Sequence, residues 1–194
     1  MPECFEAFDQ AIGRSNGVAF IEVVRAELLA CGSALQHVVT GGIAAGERGV
    51  VVLLRNSNPD SSVYQAVNTS AGPLFTVVAA SLTKWQDRLV RGITGWSSLG
   101  VTVAATHAQD TEQVRLVLPS ALFLVLGYGA QGASAREAVR GFRRGPAGLE
   151  GGIVSASRPI LFPDGSTDVS ALAWERGMYN ALARATTELG EAVA

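Results

Sequence analysis

Five short apolar runs recur along this chain, and longer stretches of helical character lie between them. The runs are Val18 to Glu22, Gly49 to Leu54, Leu99 to Ala105, Ala121 to Leu126 and Gly152 to Ala156. A strand that is apolar along its whole length is buried on both faces, and strands that alternate with helices are joined by crossovers. The pattern therefore predicts an α/β fold with mostly parallel strands. Helices are expected over Cys4 to Gly13, Val24 to Val39, Pro73 to Arg91, Asp110 to Leu118 and Ala135 to Arg143, with a terminal helix from Val169 to Leu189. Asp110 reads as the N-cap of the fourth, and Pro119 ends it. Ser57 to Ser70, headed by NSNPDSS, reads as a loop. No repeat or linker divides the 194 residues, so residues 1 to 194 are read as one domain.

After each of the last four strands comes a polar or glycine-rich signature: Asn56 to Pro59, Thr106 and His107, Gly127 to Gly132, then Ser157 and Arg158. That edge is where a (β/α) barrel, and equally a doubly wound sheet, builds its ligand site. The run LFLVLGYGAQG (122 to 132) brings glycine backbone that can approach an anion closely. In SASRPILF (155 to 162), an arginine at the tip of the next strand can offer a bidentate fork to phosphate.

Charge and composition exclude several classes. The formal net charge is -2 and the arginines are scattered, unlike a nucleic-acid surface. The four arginines between Arg136 and Arg144 are read as one solvated helix face. Leu116 to Ala135 has the length of a membrane span, but Pro119, the glycines and Gln131 divide it into a strand and a loop. MPECFEAFDQ carries no basic or apolar leader region, which points to a cytoplasmic protein. Cys4, Cys31, His37 and His107 lack zinc-site spacing, so no metal is expected. His107 has the chemistry of an acid or base near neutral pH, although a structural role is the favoured reading.

Four segments, GVVVLLRNSNPDSSVYQ (49 to 65), GWSSLGVTVAATH (95 to 107), LFLVLGYGAQGA (122 to 133) and IVSASRPILF (153 to 162), resemble orotidine 5'-phosphate decarboxylase of the longer bacterial branch in their order and spacing. Residues 49 to 194 look like the C-terminal half of that family's barrel, and residues 1 to 48 like its opening helix and second strand. The resemblance thus implies an incomplete or rearranged (β/α) TIM-type barrel without the third and fourth strands. The family's lysine and aspartate motif, which delivers the proton that replaces carbon dioxide, belongs to the missing part. The chain has a single lysine, Lys84, and it falls in the expected helix SLTKWQDRL as a solvated residue.

The resemblance also implies binding roles. Ser57 and Asn58 in NSNP, with Gln131, would contact a pyrimidine, and Gly129, Gln131, Ser157 and Arg158 would hold the phosphate. It implies no cofactor. Three departures stand at the same places: Asn56 for threonine, Leu126 for proline and Pro159 for glycine. The function so implied is binding of a nucleotide or sugar 5'-phosphate, with ordinary decarboxylation lacking its acid and base. The alternative is a pseudoenzyme or assembly partner that dimerises with itself or with a full-length barrel relative. No nucleic acid or membrane partner is expected.

Overall fold

The computed structural model describes residues 20–24, 48–58, 60–146, 148–163 and 170–194. The helices expected over Cys4 to Gly13 and, past Val24, over residues 25 to 39 lie outside the described residues, as do Cys4, Cys31 and His37. Five strands form one sheet in the order β1-β2-β5-β6-β9. They are β1 (Phe20–Val24), β2 (Arg48–Leu53), β5 (Leu99–Ala104), β6 (Leu122–Leu126) and β9 (Gly152–Val154), and every pairing is parallel. Two small antiparallel pairs, β3 (Asn68–Thr69) with β4 (Gly72–Pro73) and β7 (Arg143–Gly145) with β8 (Gly148–Glu150), lie outside it. Each of the five apolar runs therefore became a strand of the one sheet.

One face of the sheet carries the core. Val50 and Val52 of β2, Leu99, Val101 and Val103 of β5, and Phe123 and Val125 of β6 point alternately to that side and are fully buried. Against them pack Phe75, Ala79, Leu82 and Trp85 of α2 (Leu74–Arg88), and Val114 of α3 (Ala108–Val117) with Leu118 beyond its end. The opposite face is less covered. In the register row Leu53, Thr102, Leu124, Ile153, the two outer residues are 37% and 51% exposed. A closed barrel fills its interior with such side chains. Here β1 and β9 remain sheet edges among the described residues, so the strands form an open arc, an incomplete barrel.

Two buried polar side chains close the end of the sheet away from the glycine loops. Arg115 gives its guanidinium protons to the carbonyls of Gly141 (2.6 Å), Leu118 (3.1 Å), Pro119 (3.2 Å), Ala121 (2.7 Å) and Gly151 (2.9 Å). It lies 3.6 Å from the centre of the Phe123 ring. Burial, then the charge of Arg143, pulls its pKa down to about 9. Gln86 Oε1 accepts from the N–H groups of Ser120 (2.9 Å) and Ala121 (3.1 Å) and so anchors the start of β6.

Four local expectations are corrected. Residue 107, not Asp110, is the cap of α3; Asp110 lies in its first turn with its carboxylate on Arg55. The segment from Ser57 to Ser70 contains α1 (Ser61–Gln65) and β3, because Arg55 gathers the serines into a turn of helix. The helix expected to reach Arg143 is α4 (Ala135–Ala138), started by a Ser134/Glu137 capping box. Gly141, where a side chain would collide with Thr111 and Phe123, brings the chain against the core, and Arg143 and Arg144 join β7. The four arginines thus do not share a helix face. The last helix, α6 (Ala171–Val193), is capped by Ser170 and runs four residues past Leu189. Among the described residues, no helix is long and apolar enough to cross a membrane.

Candidate functional site

Three loops meet at the C-terminal edge of the sheet. The loop after β2 brings Asn56, Ser57 and Asn58; the loop after β6 brings Gly127, Tyr128, Ala130 and Gln131; the loop after β9 brings Ser155, Ser157, Arg158 and Pro159. They line a cavity of about 230 Å³. Of the residues singled out from sequence, Ser57, Asn58, Gln131, Ser157 and Arg158 all line it. So do Asn56, Leu126 and Pro159, the three departures from the family pattern.

The glycine loop owes its shape to backbone that other residues adopt poorly. Gly127 has φ +92°, and a Cβ there would stand 2.9 Å from Gln131 Oε1, 3.1 Å from Ser57 Cβ and 3.3 Å from Thr106 Cγ2. Glycine at 127 therefore lets the loops after β2, β5 and β6 close on one another. Gly129 (φ +71°) faces the Pro159 ring, 2.9 Å from where its Cβ would be. Its N–H donates to the Ala133 carbonyl at 3.0 Å, so this amide is used within the loop. The N–H of Ala130 goes to the Tyr128 carbonyl and that of Gly132 to the Gly129 carbonyl.

Arg158 stands beyond the strand tip where sequence placed it, as the first residue of the short helix α5 (Arg158–Leu161). It is exposed, and its guanidinium has no hydrogen bond or ion pair among the described residues. A planar cation without a partner at the rim of a polar cavity suits a phosphate or carboxylate.

His107 lines a neighbouring cavity of about 450 Å³ with Asp110, Arg136, Glu137 and Arg140. Burial, and next the charge of Arg55, hold its pKa below 6.5 against the opposing pull of Asp110. Thr106 lines this second cavity, with its Cγ2 beside Gly127 and its hydroxyl buried without a partner among the described residues. Tyr128 donates its hydroxyl to Glu188 Oε2 at 2.7 Å, which ties the glycine loop to α6. Burial, with the hydrogen bond and charge of Glu188, raises its pKa to about 12. No group of three or more metal-ligating side chains occurs among the described residues.

Sequence reasoning missed Arg55, which is 2% exposed and lies under the first loop. Its only sequence signal is its place between the strand end and NSNP.

No family model matches the chain. It is 34% identical over 121 residues to an orotidine 5'-phosphate decarboxylase of Petrotoga mobilis, covering 61% of this chain and 40% of that protein. For the enzyme of the same name from Halorubrum lacusprofundi the identity is 39% over 119 residues, covering 60% and 40%. Over these spans the chain is similar to orotidine 5'-phosphate decarboxylases. In that family's Deinococcus radiodurans member the match reaches 36% over 130 residues, or 66% of this chain and 44% of the other. The chain thus spans about two fifths of the length of the curated orotidine 5'-phosphate decarboxylases it matches.

The fold agrees with the same family. A crystal structure of Plasmodium berghei orotidine 5'-monophosphate decarboxylase superimposes with a TM-score of 0.59 at 13% identity, covering 98% of this chain and 55% of that one. Leishmania donovani UMP synthase gives 0.56 at 21% identity, covering 95% and 37%.

Proposed function

We propose that this chain binds a nucleotide or sugar 5'-phosphate in the cavity between Ser57, Gln131 and Arg158, a site where ordinary decarboxylation would lack the lysine that the family resemblance implies. The observation that carries the reading is the uncommitted Arg158 guanidinium at the rim of a polar cavity whose walls include the Gln131 amide. The amide both donates and accepts and so suits a base edge, while the planar guanidinium fork matches the oxygens of a phosphate. The names of the curated relatives supply the ligand class. Asn56, Leu126 and Pro159 alter the wall where a base would lie.

The lysine chemistry of the family has no counterpart here. Lys84, the one lysine of the chain, is on the exposed side of α2 with its ammonium 5.3 Å from the centre of the Trp85 ring.

Calorimetric titration with uridine 5'-monophosphate tests the reading, using the native protein and Arg158→Ala. Binding is expected for the native chain, with a loss of about tenfold or more in the variant, the scale of a charge-assisted phosphate contact. Heat of equal size from both proteins overturns the role of Arg158, and no heat from either overturns the uridine nucleotide.

The open sheet face favours a second reading, in which the chain assembles with a second copy or a related barrel. Exposed Leu53 and Ile153 and two sheet edges are what such a partner would cover. Light scattering on the purified chain, alone and mixed with a full-length relative, separates a monomer from either assembly.

A further inference from the structure

We infer that Arg55 is the positioning residue of the ligand cavity, setting the loop Asn56 to Asn58 through the helix α1. The inference rests on the proposed ligand reading for its consequence, but its geometry stands alone. Arg55 follows the end of β2 and is buried, so its charge needs partners. It has them on two elements. Nε donates to Asp110 Oδ2 of α3 at 2.8 Å. Nη1 donates to Ser61 Oγ at 2.7 Å and more weakly to Gln65 Oε1 at 3.4 Å, and Nη2 donates to Ser62 Oγ at 2.9 Å.

Every residue that Arg55 grips on α1 is part of a helix too short to persist alone. A five-residue helix does not repay its nucleation, and α1 has no side-chain cap and no acidic residue in its first turn. The fork of Arg55 substitutes for these by donating at once to Ser61, Ser62 and Gln65.

The helix then passes the order back to the loop. Ser61 Oγ donates to the Asn56 carbonyl at 3.0 Å, and the Asn56 N–H donates to Gln65 Oε1 at 2.8 Å. Both backbone groups of Asn56 are therefore held by residues that Arg55 holds. The Asn56 side chain continues the chain of bonds by accepting from the Ser57 N–H at 2.7 Å. Beyond it, Ser57 and Asn58 line the cavity, with Ser57 Cβ against Gly127. Asp110 completes the device from the other side by fixing the guanidinium plane against α3.

Two measurements test this together: amide hydrogen exchange at Asn56 and Ser57, and titration with uridine 5'-monophosphate. They are made on native protein, Arg55→Met and Gln65→Leu. Gln65→Leu leaves the Arg55–Asp110 pair and the bonds from Arg55 to Ser61 and Ser62 in place, and removes the acceptor of the Asn56 N–H together with the weak contact from Arg55 Nη1. Exchange at Asn56 is expected to quicken about tenfold or more in both variants, while Val101 and Val103 in the sheet keep native protection. Affinity for the nucleotide is expected to fall about tenfold with Arg158 untouched. A role confined to stability would lower the melting temperature and leave both readouts at native values in the folded protein.

Native exchange at Asn56 in a folded Arg55→Met, or native affinity in both variants when the native chain binds, overturns the inference. Should Arg55→Met not fold, Gln65→Leu decides by the same criteria. Should native protein not bind the nucleotide, the ligand reading fails, and exchange at Asn56 alone upholds or overturns the hold of Arg55 on the loop.

Discussion

Replacing Gly127 by alanine should damage the fold and the cavity at once, by amounts that can be separated. Its φ of +92° costs an L-residue about 1–2 kcal/mol whatever surrounds it. The new methyl would also stand 2.9 Å from Gln131 Oε1, the movable end of a side chain, and 3.1 Å from Ser57 Cβ, which has less freedom. Relieving those contacts pushes both cavity residues outward and adds about 1 kcal/mol. Gly132 supplies the control: its φ is +87°, and a Cβ there meets nothing within 4 Å. Gly132→Ala thus carries the backbone strain without the contacts. For a chain of this length about 2–3 kcal/mol corresponds to a fall in melting temperature of about 4–12 °C. Thermal denaturation should show the larger fall in Gly127→Ala, and calorimetry should show weaker uridine 5'-monophosphate binding in that variant but not in Gly132→Ala. Equal melting temperatures with unchanged affinity in Gly127→Ala would refute the claim that glycine at 127 is what lets the three loops close.

Other expectations follow from the buried polar groups. Arg115→Met removes the donor shared by five carbonyls; against this stands relief from burying an unpaired cation, and the net loss should be about 3 kcal/mol in urea unfolding. A methionine variant of native stability would show that desolvation cancels the cage. His107, whose native pKa lies below 6.5, gives up its proton at lower pH than in the unfolded chain. Stability should therefore decline as pH falls below 6.5, and Asp110→Asn, by removing the raising influence, should move the His107 midpoint lower still in an NMR titration. Tyr128 is the opposite case: with its pKa raised to about 12, the native state keeps a proton that the unfolded chain loses near pH 10. Stability should fall from about pH 10 to about 12, and urea midpoints of Tyr128→Phe across that range should lose this component of the decline.

Much of the architecture was legible because it rests on local pattern. The continuous apolar runs at Gly49 to Leu54 and Leu99 to Ala105 allow little but buried strands, and each matched its observed strand to within one residue at either end. Glycine and polar residues right after strand ends marked the cavity loops for the same reason. Boundaries failed where a distant group intervened. Ser61 to Gln65 has loop composition, and it is helical because Arg55 holds its side chains. The run from Ala135 lost its helix after Ala138, and Gly141 then packs under Thr111 and Phe123.

What the sequence alone determined, then, is the set of strands, their parallel arrangement and the edge whose loops line the cavity, since these depend on which residues avoid water and where glycine falls. The tertiary structure decided which polar side chains are buried. Arg55 meets Asp110 across 55 positions of sequence, Tyr128 meets Glu188 across 60, and Arg115 reaches Gly151 across 36. Arginine is ordinarily a surface residue, so nothing in its local surroundings marks the one that will be enclosed. Only when the sheet brings distant carbonyls and carboxylates around it can the cost of taking its charge from water be offset, and that arrangement exists in three dimensions alone.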